Sequence, residues 1–353
     1  MTRVFVTGAN GFMGSRIVRE LLAHGYGVTA LTGADLDARN LEGLDVELRA
    51  LELLDPASVH RALAGGELLV HNAACYSFWQ RDRGHIYRVN VEGTRHVLEA
   101  AAAHGYRKIV YTSSAATLTP AIDGDVRAED SLFDLRRFQG DYKCSKVIAE
   151  IAVLRAAARG LPAVILHPTA VVGAGDRRPT PSGGMIVHFI NGRMKAYVDT
   201  VLNIADVDDV ARGHALALER GQPGHRYILG GENLHMRQVL FLLSELTGIR
   251  CPRLAIPPRV LLAAARVDEW LARRFARRTP TIDVEAALHA LTSRALASTA
   301  AEKELGYVPG PARLALARAA HWFVENGYCA ERYARRIRAH GALDAALSAL
   351  VTK

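Results

Sequence analysis

The stretch Val4-Phe-Val-Thr-Gly-Ala-Asn-Gly-Phe-Met-Gly14 decides the architecture of this chain. It starts as an apolar, β-prone run, breaks at three glycines and reopens as a helix. Each glycine has a separate reason to be there. Gly8 allows a tight turn at the end of the strand, Gly11 lets backbone approach a bulky anion, and Gly14 lets the helix pack closely on the strand. The free N–H groups and positive dipole end of the new helix then face that anion. The spacing is GxxGxxG, one residue longer in its first gap than the common dinucleotide fingerprint. The turn therefore nominates Gly8, Asn10, Gly11, Phe12, Met13 and Gly14 as residues around a dinucleotide pyrophosphate.

Working outward, short apolar runs alternate with helical patterns. Strands are expected at Arg3–Thr7, Val28–Leu31, Val46–Leu51, Leu68–Asn72, Lys108–Thr112 and Ala163–Leu166. Helices are expected at Met13–His24, after Asp55-Pro56, at His85–His104 and at Tyr142–Ala158. Strictly alternating strands and helices imply parallel pairing through right-handed crossovers. The fold class is α/β, a Rossmann-type doubly wound parallel sheet with ligands at the carboxyl ends of its strands. After His167 the rhythm changes. Residues 173–184 read as a loop, followed by a helix Met185–Asn191, a strand Val201–Val207, a helix Asp208–Arg220, a strand Arg226–Leu229 and a helix Met236–Thr247. This gives a dinucleotide-binding domain over 1–168, to which elements near 200–220 return, and a smaller, discontinuous substrate lobe over 169–330. A helical extension follows over 331–353. The Arg-rich amphipathic helix Arg259–Arg277 reads as packed on the lobe, with contact to a membrane surface as the alternative.

Composition narrows the function classes. The chain has 353 residues, half of them apolar, enough for one large core with a smaller partner. The net charge of +8 comes from scattered arginines rather than a like-charge run, so no nucleic-acid partner is expected. Cys75, Cys144, Cys251 and Cys329 form no CxxC pair and no metal spacing. They fit a reducing compartment, and no apolar run reaches membrane-span length, so the chain reads as cytoplasmic, with no metal. The expected partners are a small-molecule substrate and, as an option, a second copy of the chain.

Tyr142-Lys-Cys-Ser-Lys146 places a phenol and an ammonium four residues apart on one helix face. An ammonium beside a phenol favours the phenolate, and a phenol tuned toward neutral pH can exchange a proton with an alcohol oxygen. Ser114, in Tyr111-Thr-Ser-Ser114, follows a strand at the carboxyl edge of the sheet, where a hydroxyl can bond a substrate carbonyl. Asn90 sits inside a helical pattern that asparagine does not favour, and can hold backbone groups or a proton-relaying water. At the end of the second strand, Thr32 and Gly33 offer no acid for ribose hydroxyls, and Asp35 and Asp37 come late. Arg16 and Arg39 can meet a 2′-phosphate instead. The cofactor reading is NAD(P), leaning to NADP over NAD.

Together these residues resemble the extended short-chain dehydrogenase/reductase superfamily. The resemblance is carried by Thr7–Gly14, His71-Asn-Ala-Ala74, Tyr87-Arg-Val-Asn90, Tyr111–Ser114, Tyr142-x-x-x-Lys146 and His167-Pro-Thr169. It implies that Tyr142 is the acid/base, that Lys146 binds ribose and tunes the tyrosine, that Ser114 positions the substrate oxygen and that Asn90 supports the relay. It also implies cofactor contacts at Glu52, Leu53, Asn72, Ala73, Ala74, His167, Pro168 and Thr169. Within the superfamily the chain is similar to the dihydroflavonol 4-reductase-like branch, and closest to the hopanoid-associated sugar epimerases. Asn40–Glu47, Arg178-Pro-Thr-Pro181, Gly192–Asp199, Val207-Asp-Asp-Val210, Arg226–Asn233 and Glu302–Tyr307 carry that finer likeness. The chain departs from the branch at Gly33, where an Arg is usual, and at Asp206, where a His is common.

Two activities fit. One is reduction of a ketone or aldehyde, or oxidation of the alcohol. The other is epimerisation of a sugar or sugar nucleotide. A cofactor-sensing regulator fits less well, because such binders tend to lose the Tyr-Lys pair. The reductase is the favoured reading because Tyr197–Asp206 has no Arg for a diphosphate and carries Asp199 and Asp206, which would repel one.

Overall fold

Val4 and Val6 point to one side of their strand and Phe5 to the other, and all three are fully buried. A strand apolar on both faces needs cover on both, which is what a parallel sheet between two helical layers supplies. The computed structural model describes residues 2–33, 38–76, 83–118, 140–275, 284–291 and 295–348. Asp35, Asp37, the end of the helix expected to reach Arg277 and the last five residues of the expected C-terminal extension lie outside the described residues.

The first half runs β1 (Arg3–Thr7), α1 (Phe12–Ala23), β2 (Gly27–Thr32), β3 (Glu47–Ala50), α2 (Pro56–Ala62), β4 (Leu68–His71), α3 (Arg83–Tyr87), α4 (Gly93–Ala103), β5 (Lys108–Thr112), α5 (Asp141–Ala158) and β6 (Ala163–Pro168). The second half adds β7 (Ala170–Val172), α6 (Pro181–Ile190), β8 (Ala196–Tyr197), β9 (Val201–Asp206), α7 (Val207–Arg220), β10 (Arg226–Leu229), β11 (Glu232–His235), α8 (Met236–Thr247) and β12 (Leu254–Ala255). It closes with α9 (Pro258–Arg274), α10 (Val284–Leu291), α11 (Ala312–Glu325), α12 (Glu331–His340) and α13 (Ala342–Ser348).

Seven strands form one sheet in the order β10-β6-β5-β4-β1-β2-β3. Its pairings are parallel. Chain direction across the sheet reverses between β1 and β4, so a crevice opens at their carboxyl ends. One face is covered by α1 and α7, with Ile17, Val18, Leu21, Val210 and Ala215 packed on Val4 and Val6. The other is covered by α2, α4 and α5, with Val59, Val97, Ala149 and Val153 around Phe5, Leu69 and Ile109. A second core joins β7, β9 and β11 to α6, α8 and α11–α13 through Ile186, Phe189, Leu240, Leu316 and Phe323. Strand β10 and helix α7 go to the large sheet, whereas β9 stays in the three-stranded one. Among the described residues no helix is long and apolar enough to cross a membrane.

Two expectations need correcting. The helix expected over His85–His104 is interrupted by a π-helical turn at Arg88–Glu92. The Asn90 side chain there bonds neighbouring segments, and the Thr94 hydroxyl donates to the Asn90 carbonyl at 2.7 Å. Such a one-turn widening recurs at functional sites. The loop expected over 173–184 ends early, because Thr180 caps α6 by accepting from the Gly183 N–H, with Pro181 in the first turn.

Candidate active site

The glycine turn is built as three separate fits. Gly8 has φ +65°, and a Cβ there would lie 2.9 Å from the Ala73 backbone, so neither the conformation nor the space admits a side chain. A Cβ on Gly14 would land 2.0 Å from the Gly8 carbonyl oxygen, which makes Gly14 the contact that lets α1 sit on the turn. Gly11 is different. It begins α1 with φ −68° and ψ 171°, without a side-chain cap, and is exposed toward the cleft. A Cβ there meets only the Gly8 oxygen, at 3.2 Å.

The adjoining strand ends are locked by a buried polar chain. The Thr7 hydroxyl accepts from the Asn72 and Ala73 N–H groups at 3.1 and 3.0 Å. It therefore donates to His71 Nδ1 at 2.8 Å, and His71 Nε2–H is left to donate to Thr94 Oγ at 3.1 Å. This tautomer needs a neutral ring. Burial, and secondarily the Lys146 charge, lower the His71 pKa to about 3.

Tyr142 and Lys146 lie one turn apart on α5, both buried. Lys146 Nζ donates to the Thr112 carbonyl at 2.8 Å and sits 4.7 Å from the centre of the Tyr111 ring. Burial lowers its pKa to about 8, and nearby Glu150 works against that shift. Tyr142 packs with Ile86 and Ala116, and its ring is 4.7 Å from that of Tyr76. The first N–H groups of α5, on Asp141 and Tyr142, donate to the Glu285 carboxylate of α10 at 2.9 and 3.1 Å. That remote carboxylate satisfies amides that a helix start leaves open, at the end where negative charge is favoured. Ser114 Oγ accepts from the Ala116 N–H at 3.1 Å, which leaves its hydroxyl hydrogen to donate. Asn90 bonds both backbone groups of Cys75, at 2.7 and 3.1 Å, and donates to Ser145 Oγ at 3.0 Å. It thus ties the segment after β4 to α5.

One more turn along α5, Glu150 is fully buried and accepts from Ser113 at 2.5 Å, Thr117 at 2.8 Å and His167 Nε2 at 2.9 Å. Burial tends to raise its pKa, but the charge and hydrogen bond of His167 and the two hydroxyls together lower it. A depressed carboxylate pKa contributes stability that is present above the unfolded value and lost as pH falls through the folded one. Glu150→Gln faces three donors with one carbonyl and an amide, so unfolding free energy at neutral pH falls by about 2–4 kcal/mol. Thermal melts across pH check this. The gap between the two proteins should close as pH falls below the ordinary glutamate range, and a gap that widens there contradicts the assignment.

A cleft of about 660 Å³ opens over the carboxyl ends of β1, β4 and β5. Of the residues nominated from sequence, Gly8, Asn10, Gly11, Phe12, Met13, Glu52, Leu53, Asn72, Ala73, Ala74, Ser114, Tyr142, Lys146, Pro168 and Thr169 line it. Gly14, Thr32, Arg39, Asn90 and His167 do not. Gly14 and Asn90 act on the walls, and His167 is turned under the sheet to Glu150. Arg16, nominated for a 2′-phosphate, is held by Asp208 at 2.5 Å. Asp199 and Asp206, expected to repel a diphosphate, are likewise placed away from the cleft. Asp206 caps α7 and pairs with Arg318 at 2.8 Å, Asp199 is exposed, and neither lines the cleft.

Asn40, which lines the cleft, and Glu150 and Glu285, which support its walls, escaped the sequence reading. Asn40 donates to the Asn10 and Gly175 carbonyls, both at 3.2 Å, and accepts from Arg177 at 2.9 Å. It closes the segment around Asp176–Thr180 over the glycine turn. Glu150 had a legible signal, since Tyr142, Lys146 and Glu150 repeat every four residues. Glu285 had none. The cleft also suits a dinucleotide on its own terms. Asn72 Oδ1 and Thr169 Oγ are buried in its lining with no hydrogen-bond partner among the described residues, and Gly11 leaves an open cradle at a helix start.

Residues 4–230 match the NAD dependent epimerase/dehydratase family. The chain belongs to that family. It is similar to a putative dihydroflavonol 4-reductase of Synechocystis sp., 39% identical over 92% of this chain and 95% of that protein. It is 38% identical to the sterol demethylase protein B of Methylococcus capsulatus, over 91% and 98%. The crystal structure of gox2253 superposes with a TM-score of 0.84 at 40% identity, covering 94% of this chain and all of that one. The extended short-chain resemblance and the Rossmann-type fold expected from sequence are both borne out. This family member is an NAD(P)-dependent oxidoreductase.

Proposed function

We propose that this family member reduces a ketone or aldehyde, or oxidises the corresponding alcohol, at a Ser114-Tyr142-Lys146 site. The observation that carries the reading is that these three side chains open into the same cleft as the glycine turn. The pyrophosphate of the cofactor would lie at Gly11 and the start of α1, with Asn72, Pro168 and Thr169 along its length. When bound, the nicotinamide supplies or accepts the hydride at the substrate carbon. Ser114 donates a hydrogen bond to the substrate oxygen and orients it. Tyr142 gives that oxygen its proton, or removes it in the reverse direction. Lys146, anchored on the Thr112 carbonyl, holds positive charge beside the phenol up to about pH 8 and so favours the phenolate that proton transfer leaves behind. The lean to NADP rests on Thr32, which ends β2, and Gly33 just after it, neither of which is a carboxylate.

A reductase is favoured over an epimerase by the name of the 39% identical relative. The second reading has its own support, because Arg177 and Arg178 line the cleft and are suited to a sugar-nucleotide diphosphate. Calorimetry with a panel of nucleotide sugars, run beside absorbance assays with carbonyl compounds and either cofactor, separates the two. The expected result is weak or no nucleotide-sugar binding and net consumption of reduced cofactor, with NADPH used in preference to NADH. Tight nucleotide-sugar binding with epimer interconversion and no net cofactor consumption overturns the reductase.

A further inference from the structure

Helix α9 is apolar on its packed face and again on a flank and outer side that face water. Leu261 and Ala265 turn inward and pack with Ile256, Val284, Ala287 and Leu291. On the outward side, Val260 is 56% exposed, Val267 58% and Trp270 63%, and Phe275 at the C-terminal end is 59% exposed. Ala263 and Ala264 are exposed between them. Val260, Ala264 and Val267 follow helical spacing and form an exposed apolar stripe along one flank, with Ala263 and Trp270 beside it on the outer side. A helix packed on a lobe and facing water should be polar there.

The stripe has a basic border. Arg259, Arg266 and Arg273 recur every seven residues and therefore form a column along one edge, beside Trp270, and Arg274 closes the C-terminal end. Arg253 is exposed next to Leu254, itself 66% exposed. The acids of the helix lie elsewhere. Glu269 pairs with Arg273 and accepts from the Val284 N–H, so it faces α10. Asp268 falls on the edge opposite the arginine column.

We propose that α9 is a membrane-surface helix that lies in the headgroup layer of an anionic bilayer. Val260, Val267, Trp270 and Phe275 enter the acyl boundary, and Arg259 and Arg266 meet lipid phosphates, whereas Arg273 stays with Glu269. Charge chooses this occupant: an apolar stripe edged by arginines matches a negatively charged lipid surface, on which each basic residue adds to apolar insertion. A tryptophan at the border between apolar and basic faces is suited to the headgroup level. The geometry also places the surface next to the cleft. Helix α10, packed on α9, carries Glu285, which holds the first amides of the helix bearing Tyr142. A bilayer under α9 thus lies one helix away from the site.

The test is sedimentation of the full chain with vesicles of phosphatidylcholine alone or mixed with phosphatidylglycerol. The Trp270 emission is followed as the difference between wild type and Trp270→Phe. Binding to the anionic vesicles is expected, with a blue shift of that emission and weakening at high salt. Val267→Ser with Trp270→Ser should lower partitioning by at least about tenfold. Arg259→Gln with Arg266→Gln should lower it by about fivefold per arginine, on anionic vesicles only. All four positions are exposed and outside the cleft, so circular dichroism and turnover with a water-soluble carbonyl should be unchanged in both double variants. Failure of the wild type to bind anionic vesicles overturns the proposal, as does binding that neither double variant weakens. Self-association without lipid that Trp270→Ser abolishes assigns the stripe to a second copy of the chain and overturns it equally.

Discussion

Tyr142→Phe lowers turnover on the carbonyl substrate by about two to four orders of magnitude, the usual worth of a positioned general acid. That corresponds to about 3–5 kcal/mol of transition-state stabilisation. The substitution removes one hydroxyl and keeps the ring that packs with Ile86 and Ala116 and lies against Tyr76. The fold and cofactor affinity should therefore survive, and unfolding free energy should change by no more than about 1 kcal/mol. Single-turnover rates, measured with cofactor affinity on the same preparation, isolate the chemical step. A phenylalanine variant with near-normal rates would falsify the proton-transfer role.

Gly11→Val removes cofactor binding while leaving the protein folded, with affinity lowered by at least about a hundredfold in calorimetry. The backbone at Gly11 suits any L residue, and the nearest atom to an added Cβ is one carbonyl oxygen at 3.2 Å. The branched side chain must then project into the cleft at the start of α1, where an anion would need the bare backbone. Gly14→Ala supplies the contrast. Its Cβ would fall 2.0 Å from the Gly8 oxygen, so α1 must move off the turn, at an overpacking cost of about 1–3 kcal/mol read as a lower melting temperature. Equal melting temperatures for the two variants, or unchanged affinity in Gly11→Val, would contradict the division of labour among the three glycines.

Much of this was legible in the chain itself because it rests on local chemistry. Strand Arg3–Thr7, the three glycines and the helix that follows are a contiguous run in which spacing alone dictates turn, approach and packing. The four-residue step from Tyr142 to Lys146 puts both groups on one face of any helix, whatever surrounds it. The alternation of strands and helices up to Leu166 was enough for a parallel, doubly wound sheet, since parallel strands require crossovers and crossovers have one hand.

Tertiary structure decided what depends on groups far apart in sequence. It took Arg16 away from the cofactor by pairing it with Asp208, 192 residues later, and it turned His167 under the sheet to Glu150. It widened the helix at Asn90 so that one side chain could bond both Cys75 and Ser145, and it brought Glu285 across 143 residues to hold the Tyr142 amide. Whether Asp199 and Asp206 face a ligand was settled by Arg318 and by exposure rather than by their position in the chain. Spacing determines which side chains share a face. Where a charged group points depends on which opposite charge the fold brings within a few ångströms, because a buried or half-buried charge is stable only beside a partner.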